Sequence, residues 1–370
     1  MVMMQFEDIW QVPEARLASG RIPGYVGAVR VGGRTEVRAG GTMAIDGPPM
    51  REDSLFRIAS VTKPIGGALT LSLIEDGVFA LEDPIIRWLP EAADLRVLET
   101  PDAPLDRTSA LDRPITVWHL LTFTSGWGIG MDSTPLHSAM REQGVHPGPL
   151  TPPLSGDEFL TRLTALPLAF APGDGWRYDT SMDVLAVLLA RATGTPVSKL
   201  IAERITGPLG MTSTAYYALY LDRLATAYMP GPDGLELLDP PAGNSAAPPL
   251  FEELASGLVS TAEDVLRFYC AMADGGAPLI TAGSVDEMTA DALTETQRAD
   301  ALPFLGEGVS WGLATGVEDD GRWGWDGGTG TTVRVDPARD TVAVLLTQRA
   351  MTGPLDGFDD FHAAVAAAAG

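Results

Sequence analysis

Ser60 and Lys63, three positions apart in the run S-V-T-K, carry the strongest chemical signal in the chain. At that spacing two side chains share one helix face, which brings a lysine amine within reach of a serine hydroxyl. A serine hydroxyl is a poor nucleophile until a base takes its proton. Lysine can be that base when burial lowers its pKa, because desolvation disfavours the ammonium. The stretch from about Ser60 to Asp76 reads as a helix that is apolar on nearly every side, through Ile65, Ala68, Leu69, Leu71, Leu73 and Ile74. A helix of that kind is central and buried, so Lys63 is expected below its ordinary pKa. The bland reading is a capping serine and a surface lysine. Against it, Lys63 is one of only two lysines, the other being Lys199, and it stands beside Pro64 and Gly66-Gly67.

Other chemistries lack their residues. His119, His137, His146 and His362 show no H-x-x-x-H or H-E-x-x-H spacing, and Cys270 is the single cysteine, so no metal site is expected. Neither G-x-x-x-x-G-K nor a G-x-G-x-x-G at a strand-to-helix turn with a following acid occurs, and G-G-T-G at 327–330 falls between strand-like runs. The absence of a G-x-S-x-G elbow removes the α/β-hydrolase route. Cys270, in V-L-R-F-Y-C-A-M, reads as a buried, inert thiol, and His119 as a packed helix residue.

The elements that must hold the pair are β-rich at both ends of the chain and helical between. G-Y-V-G-A-V-R-V (24–31) and R-T-E-V-R-A (34–39) form two strands around a Gly-Gly turn, and S-L-F-R-I-A (54–59) a third, short one that runs into the Ser60 helix, which Gly77 ends. Near the far end, 310–317, 322–325, 331–335 and 341–347 read as a strand meander, followed by an amphipathic helix from about Phe358 into the Ala-rich tail. Helices are expected at 115–122, 181–193 and 261–273, the last with Thr261 and Asp264 as a capping box that uses Asp for Glu. The Pro-rich run 239–250 is a loop, and the N-terminal Met and Trp residues read as helix-face packing. No internal repeat is present.

At 370 residues, with 45% apolar and 20% charged residues, the composition is that of a globular protein able to bury a large core. The formal charge of −24 argues against nucleic acid or an anionic membrane as partner, since the mean field repels both. The first residues lack a basic start and an apolar signal core, and no uncharged apolar run reaches the length of a membrane span. The expectation is a cytoplasmic protein.

Several blocks stand in order along the chain: R-I-A-S-V-T-K-P-I (57–65), L-E-D-P-I-I-R-W-L-P (81–90), H-L-L-T-F-T-S-G-W (119–127), G-P-L-G-M-T-S-T (207–214) and S-G-L-V-S-T-A-E-D (256–264). Over about residues 10–350 the chain thereby resembles the serine β-lactamase and penicillin-binding protein superfamily. The closer likeness is to its class C β-lactamase-like branch, which holds family VIII carboxylesterases, D-aminopeptidases and related acyltransferases. The branch carries a tyrosine, any residue and an asparagine shortly after Pro-Gly. Pro172-Gly173 precede Tyr178-Asp179-Thr180, so the resemblance implies Tyr178 as proton shuttle, its pKa lowered by the lysine ammonium. Thr180 replaces the asparagine, keeping a hydroxyl near the substrate and losing the amide.

A third motif of the branch, lysine or histidine, any residue, glycine, aligns with Trp325-Asp326-Gly327-Gly328. The resemblance implies an oxyanion hole from the Ser60 and Gly328 amides, with Gly327 leaving room for the substrate carbonyl. Trp325 stands where relatives place a cation, as in some esterases of the branch. Asp326 is expected to hydrogen-bond the strand turn, and Trp127 and the 239–250 loop to line the pocket.

The expected fold is therefore α+β and β-lactamase/transpeptidase-like: an antiparallel sheet flanked by helices (1–95 and 285–370), a mostly helical domain (96–284), and the active site in the cleft between them. The expected enzyme is a serine hydrolase that forms a covalent acyl-enzyme, needs no cofactor, and acts as a carboxylesterase on neutral small esters. β-Lactamase, D-amino-acid peptidase or amidase, and small-molecule acyltransferase are the alternatives within the class. A non-catalytic binding module is the alternative outside it. Oligomeric state is left open.

Overall fold

Apolar residues on both faces of 24–31 and 341–347 force those two runs into the middle of a sheet covered on each side. The computed structural model describes residues 6–354 and 356–370, so Met1, Met3 and Met4, expected on a helix face, lie outside the described residues. In chain order the first strands are β1 (Gly24–Val31), β2 (Arg34–Gly41), β3 (Phe56–Arg57), β4 (Arg96–Leu98) and β5 (Thr108–Ala110). They are followed by β6 (Ala227–Gly231), β7 (Gly234–Asp239) and β8 (Val259–Ser260). The last five are β9 (Val309–Trp311), β10 (Gly316–Glu318), β11 (Trp323–Gly327), β12 (Thr331–Asp336) and β13 (Thr341–Thr347). Seven of them make one sheet in the order β2-β1-β13-β12-β11-β10-β9, with every neighbouring pair antiparallel. β13 alternates between two cores: Val342, Val344 and Leu346 face one, and Ala343 and Leu345 the other.

The helices are α1 (Phe6–Ala18), α2 (Thr62–Glu75), α3 (Val117–Leu121), α4 (Pro135–Gln143), α5 (Gly156–Thr164) and α6 (Thr180–Thr193). After them come α7 (Val197–Ile201), α8 (Gly207–Leu209), α9 (Ala262–Ala273), α10 (Ala282–Met288), α11 (Glu295–Leu305) and α12 (Asp359–Ala369). α1 and α12 pack together over the outer sheet face, where Trp10 is buried against Phe361. α9 covers the inner face at β1 and β13. The segment expected as a helical unit, 96–284, therefore includes an element that belongs with the sheet. α2 is buried from Thr62 to Leu73, as its all-round apolar sequence requires.

Three local expectations change. The run 310–317 is two strands, β9 and β10, paired as a hairpin through Gly312–Thr315. The turn is closed by Gly312 N donating to Thr315 O at 2.9 Å; only glycine fits at 312, where a side chain would collide with the Met288 carbonyl, and Ala314 takes φ 61 and donates its amide to Leu121 O at 2.9 Å. The run 54–59 contributes only the two residues of β3, which pair with β8 outside the large sheet. Thr261 does cap α9, accepting from Asp264 N at 3.2 Å, but the Asp264 carboxylate turns away to Ser213 N and Thr214 Oγ1, so only half of a capping box forms.

β3 matters because it leads directly to Ser60. Arg57 is buried and donates through Nε to Asp239 Oδ2 at 2.6 Å, and to the carbonyls of Ala225 and Pro240 at 2.8 and 3.0 Å. This ion pair ties the approach to Ser60 to the start of the 239–250 loop. Arg57→Ala strands the Asp239 carboxylate in the interior and is expected to lower the unfolding free energy by about 3–5 kcal/mol. The urea midpoint checks this, and a loss below about 1 kcal/mol would mean that Asp239 is not held by Arg57 alone.

Candidate active site

Ser60 occupies a single 3-10 turn, Ala59–Val61, between β3 and α2. Ala59 takes φ 44, a left-handed conformation uncommon for a residue with a side chain, and so swings the chain from strand into helix. Two hydroxyls pin this corner: Thr329 Oγ1, in the β11–β12 turn, donates to Arg57 O at 2.6 Å, and Thr331 Oγ1, at the start of β12, to Ile58 O at 2.9 Å. The two adjacent glycines then separate in role. A Cβ on Gly327 would collide with Thr331 Oγ1 and the Ile58 carbonyl, so this glycine exists for close packing and not, as expected, for the substrate. A Cβ on Gly328 would meet nothing within 4 Å; Gly328 lines the cavity beside Ser60, and its carbonyl is fixed by Met351 N at 2.8 Å.

Lys63 is 0% exposed, and its Nζ donates to Ser60 Oγ at 2.8 Å, Asp179 Oδ1 at 2.5 Å and Ala255 O at 2.6 Å. All three ammonium protons are thus used. Burial alone would lower its pKa, as expected from the apolar helix, but the charge of Asp179 and the Tyr178 phenol outweigh burial and hold Lys63 above its ordinary value. The expectation of a neutral lysine base is corrected by this counterion.

Tyr178 also departs from expectation. Its phenol is raised, because burial and the Asp179 charge exceed the pull of the Lys63 ammonium and of hydrogen bonds from Ser60 and Trp325. The ring lies 4.5 Å from Lys63 Nζ at its centroid. It stacks on Phe304 of α11 at 4.3 Å and meets Phe123 edge-on at 5.6 Å. α11 is held in place by Asp300, which accepts from Trp176 N at 2.8 Å and from the Arg177 guanidinium at 2.9 Å.

The cavity that opens over these groups measures about 600 Å³ and is lined by Ser60, Tyr178, Trp325 and Gly328. Phe304, Leu305, Val309, Met351 and Pro354 give it an apolar wall. Farther out, Arg334 lies between Glu318 and Asp326, and Arg322 between Glu318 and Asp320. Trp325 is 8% exposed, and its single donor, Nε1, is spent on Tyr178 Oη at 2.6 Å. Asp326 accepts from Thr332 Oγ1 and Arg334 on the neighbouring strand, not from the turn.

Not every expected residue joins the site. Trp127 is 2% exposed and Thr180 is wholly buried, and neither lines the cavity; Trp127 Nε1 and Thr180 Oγ1 find no partner among the described residues. His119 Nδ1 accepts from Thr116 N at 3.1 Å and closes the capping box of α3. Burial pushes the Cys270 thiol up to about 11, which keeps it protonated and unreactive at neutral pH. Among the described residues no three His, Cys, Asp or Glu converge on a metal position, and no single helix is long and apolar enough to cross a membrane. Sequence reasoning missed Asp179, Phe304 and Met351. Only Asp179 left a signal, a carboxylate directly after the tyrosine.

Residues 11–368 match the family model described as Beta-lactamase, and the chain belongs to that family. Protein Rv1367c of Mycobacterium tuberculosis is 37% identical over 329 residues, covering 82% of this chain and 79% of its own length. Esterase EstB of Burkholderia gladioli is 34% identical over 339 residues, covering 84% and 82%. Among solved structures, EstCE1, described as a hydrolase with promiscuous acyltransferase activity, superposes with a TM-score of 0.82 at 23% identity, covering 98% of this chain and 97% of that one.

The two glycines generate opposite expectations. Gly327→Ala overpacks the corner behind Ser60 and should cost about 1–3 kcal/mol of stability. Gly328→Ala should stay within about 0.5 kcal/mol of the parent while its methyl narrows the cavity and slows reaction at Ser60. Thermal unfolding of both variants checks this, and equal losses would contradict the division of roles.

Proposed function

We propose that the protein is a serine hydrolase that forms an acyl-enzyme on Ser60 and prefers neutral carboxylic esters. In this reading Ser60 Oγ attacks the ester carbonyl, the Ser60 and Gly328 amides receive the developing oxyanion, and Lys63 and Tyr178 move protons. Water then releases the acid. The observation that carries the preference is the hydrogen bond from Trp325 Nε1 to Tyr178 Oη. It removes the one donor an indole could offer a substrate carboxylate, and both cavity arginines are already bound to two carboxylates each. A substrate carboxylate would be desolvated there without a free partner, at a cost of several kcal/mol. A neutral ester meets the apolar wall instead.

The esterase relative and the fold it shares with an acyl-transferring hydrolase support the same chemistry. Transfer to an alcohol is the second reading, favoured by a cavity of about 600 Å³, which has room for an acceptor beside the acyl group. A binding module without catalysis would have no use for a buried ammonium touching a serine hydroxyl.

A fluorophosphonate probe should label the parent on Ser60, and Ser60→Ala should abolish labelling and turnover while leaving the fold intact. A variant that retains a tenth of the activity would overturn the assignment. Nitrophenyl esters of short acids should be turned over with at least ~100-fold higher kcat/KM than nitrocefin, about 2.7 kcal/mol of discrimination. Comparable constants for the two, or a Trp325→Ala variant with an unchanged ratio, would sink the neutral-ester preference.

A further inference from the structure

The resting site holds a puzzle: neither group expected to deprotonate Ser60 is a free base. Every Lys63 proton is committed to an acceptor, and Tyr178 is a phenol that already accepts from Trp325. Among the described residues, the carboxylate in contact with this relay is that of Asp179, 2.5 Å from Lys63 Nζ. We propose that Asp179 is the final seat of the Ser60 proton during acylation, reached through Lys63, so that Ser60, Lys63 and Asp179 act as a serine–lysine–carboxylate relay. The proposal rests on the acyl-enzyme reading above and adds to it a positioning and proton-holding residue.

Three features support it. Asp179 adopts φ 85, a backbone conformation that L residues rarely take, and it is clamped there by the reciprocal bonds between Tyr178 and Ile129 at 2.9 and 3.0 Å. The strain aims a carboxylate at the one buried lysine. The groups facing this pair are Lys63 from α2, Tyr178 and Asp183 from its own segment, Glu253 from the segment before β8, and His146 from the segment after α4. Burial pushes Glu253 up to about 7 and Asp183 well above the carboxylate range, and the carboxylate in contact with Lys63 Nζ is that of Asp179. Glu253 and Asp183 are in any case engaged elsewhere, with Ser256 and Thr151 and with Ala255 N respectively.

The step balances. Lys63 first gives the proton it shares with Asp179 to Oδ1, and the amine so formed turns its lone pair to Ser60; as Ser60 Oγ bonds to the acyl carbon, its O–H bond breaks and the proton passes to Lys63 Nζ. Lys63 is again an ammonium, Asp179 becomes a carboxylic acid, and the negative charge moves to the carbonyl oxygen. On collapse the C–O bond to the alcohol breaks, and the departing alkoxide takes a proton from Tyr178 Oη. Lys63 replaces that proton, Asp179 returns its own to Lys63, and the carboxylate is restored.

The test is the rate of nitrophenolate release in the acylation burst, measured from pH 6 to 10 for the parent, Asp179→Asn and Asp179→Gly. Asparagine and glycine both tolerate positive φ, so at least one variant should still fold, at a melting temperature lowered by the loss of the buried partner of Lys63. Without Asp179, burial is left to lower Lys63, and the neutral amine must serve as base alone. The expected result is acylation at least ~100-fold slower at pH 7, with a new limb that rises with pH as Lys63 loses its proton. A parent-shaped profile merely scaled down would make Asp179 a structural residue and overturn the proposal. An unchanged or faster rate at pH 7 would do the same. If the fluorophosphonate probe fails to label Ser60 of the parent, the acyl-enzyme reading falls instead, which separates the two failures.

Discussion

An ammonium group sealed from water must find an acceptor for each of its three protons, and that requirement organises the centre of this protein. Lys63 meets it with Ser60, three residues away on its own chain, and with Asp179 and Ala255 from two distant segments. Leaving one such proton unpaired would cost on the order of several kcal/mol, comparable to the net stability of a domain. α2, the 177–180 corner and the segment before β8 are therefore held in one arrangement by the same group that would do chemistry. The surrounding carboxylates accommodate themselves to it. With a single local cation to balance, Asp183 and Glu253 are both shifted toward their protonated forms by burial.

Trp325 gives the site its chemical character. Where related enzymes place a cation, an indole supplies one hydrogen bond and no charge. Its N–H reaches the tyrosine oxygen, so the contact is made without a charge or its long-range field. The aromatic set around it, Tyr178, Trp311 and Phe304, fills the space with rigid rings whose edge and face contacts fix the phenol oxygen near Ser60. The neighbouring Arg334 is neutralised by Glu318 and Asp326 before any substrate arrives.

Much of this was legible in the sequence wherever the signal was local. The S-V-T-K spacing, the all-round apolar helix that buries it and the alternating strands near both ends carry their structure in neighbouring residues. What was not legible depends on pairing across distance. The Lys63–Asp179 contact spans 116 positions, so a reading of α2 alone weighs burial without its countercharge and reverses the direction of the lysine shift, while a reading of Tyr178 from the lysine ammonium alone leaves out the burial that outweighs it. The break between β9 and β10 is settled partly in the same way: its turn, Gly312–Thr315, packs against Met288 and Leu121 from distant segments. Trp127 and Thr180 sit within recognisable blocks, yet the facing of a residue within a block is set by the tertiary packing of α3 and α6.

The position of β13 has a consequence for how the molecule is made. It lies between β1 and β12, pairing Tyr25 with Thr347 at one end of the ladder and Val31 with Thr341 at the other. On the ribosome the β1–β2 hairpin emerges early, but the strand that completes it follows roughly 300 residues later, a delay on the order of fifteen seconds or more at ordinary rates of synthesis. During that interval an apolar strand edge stands open, the kind of surface that invites pairing between nascent chains. The fold thus leaves one edge of its earliest hairpin unpaired until the strand made last among the sheet's members is delivered.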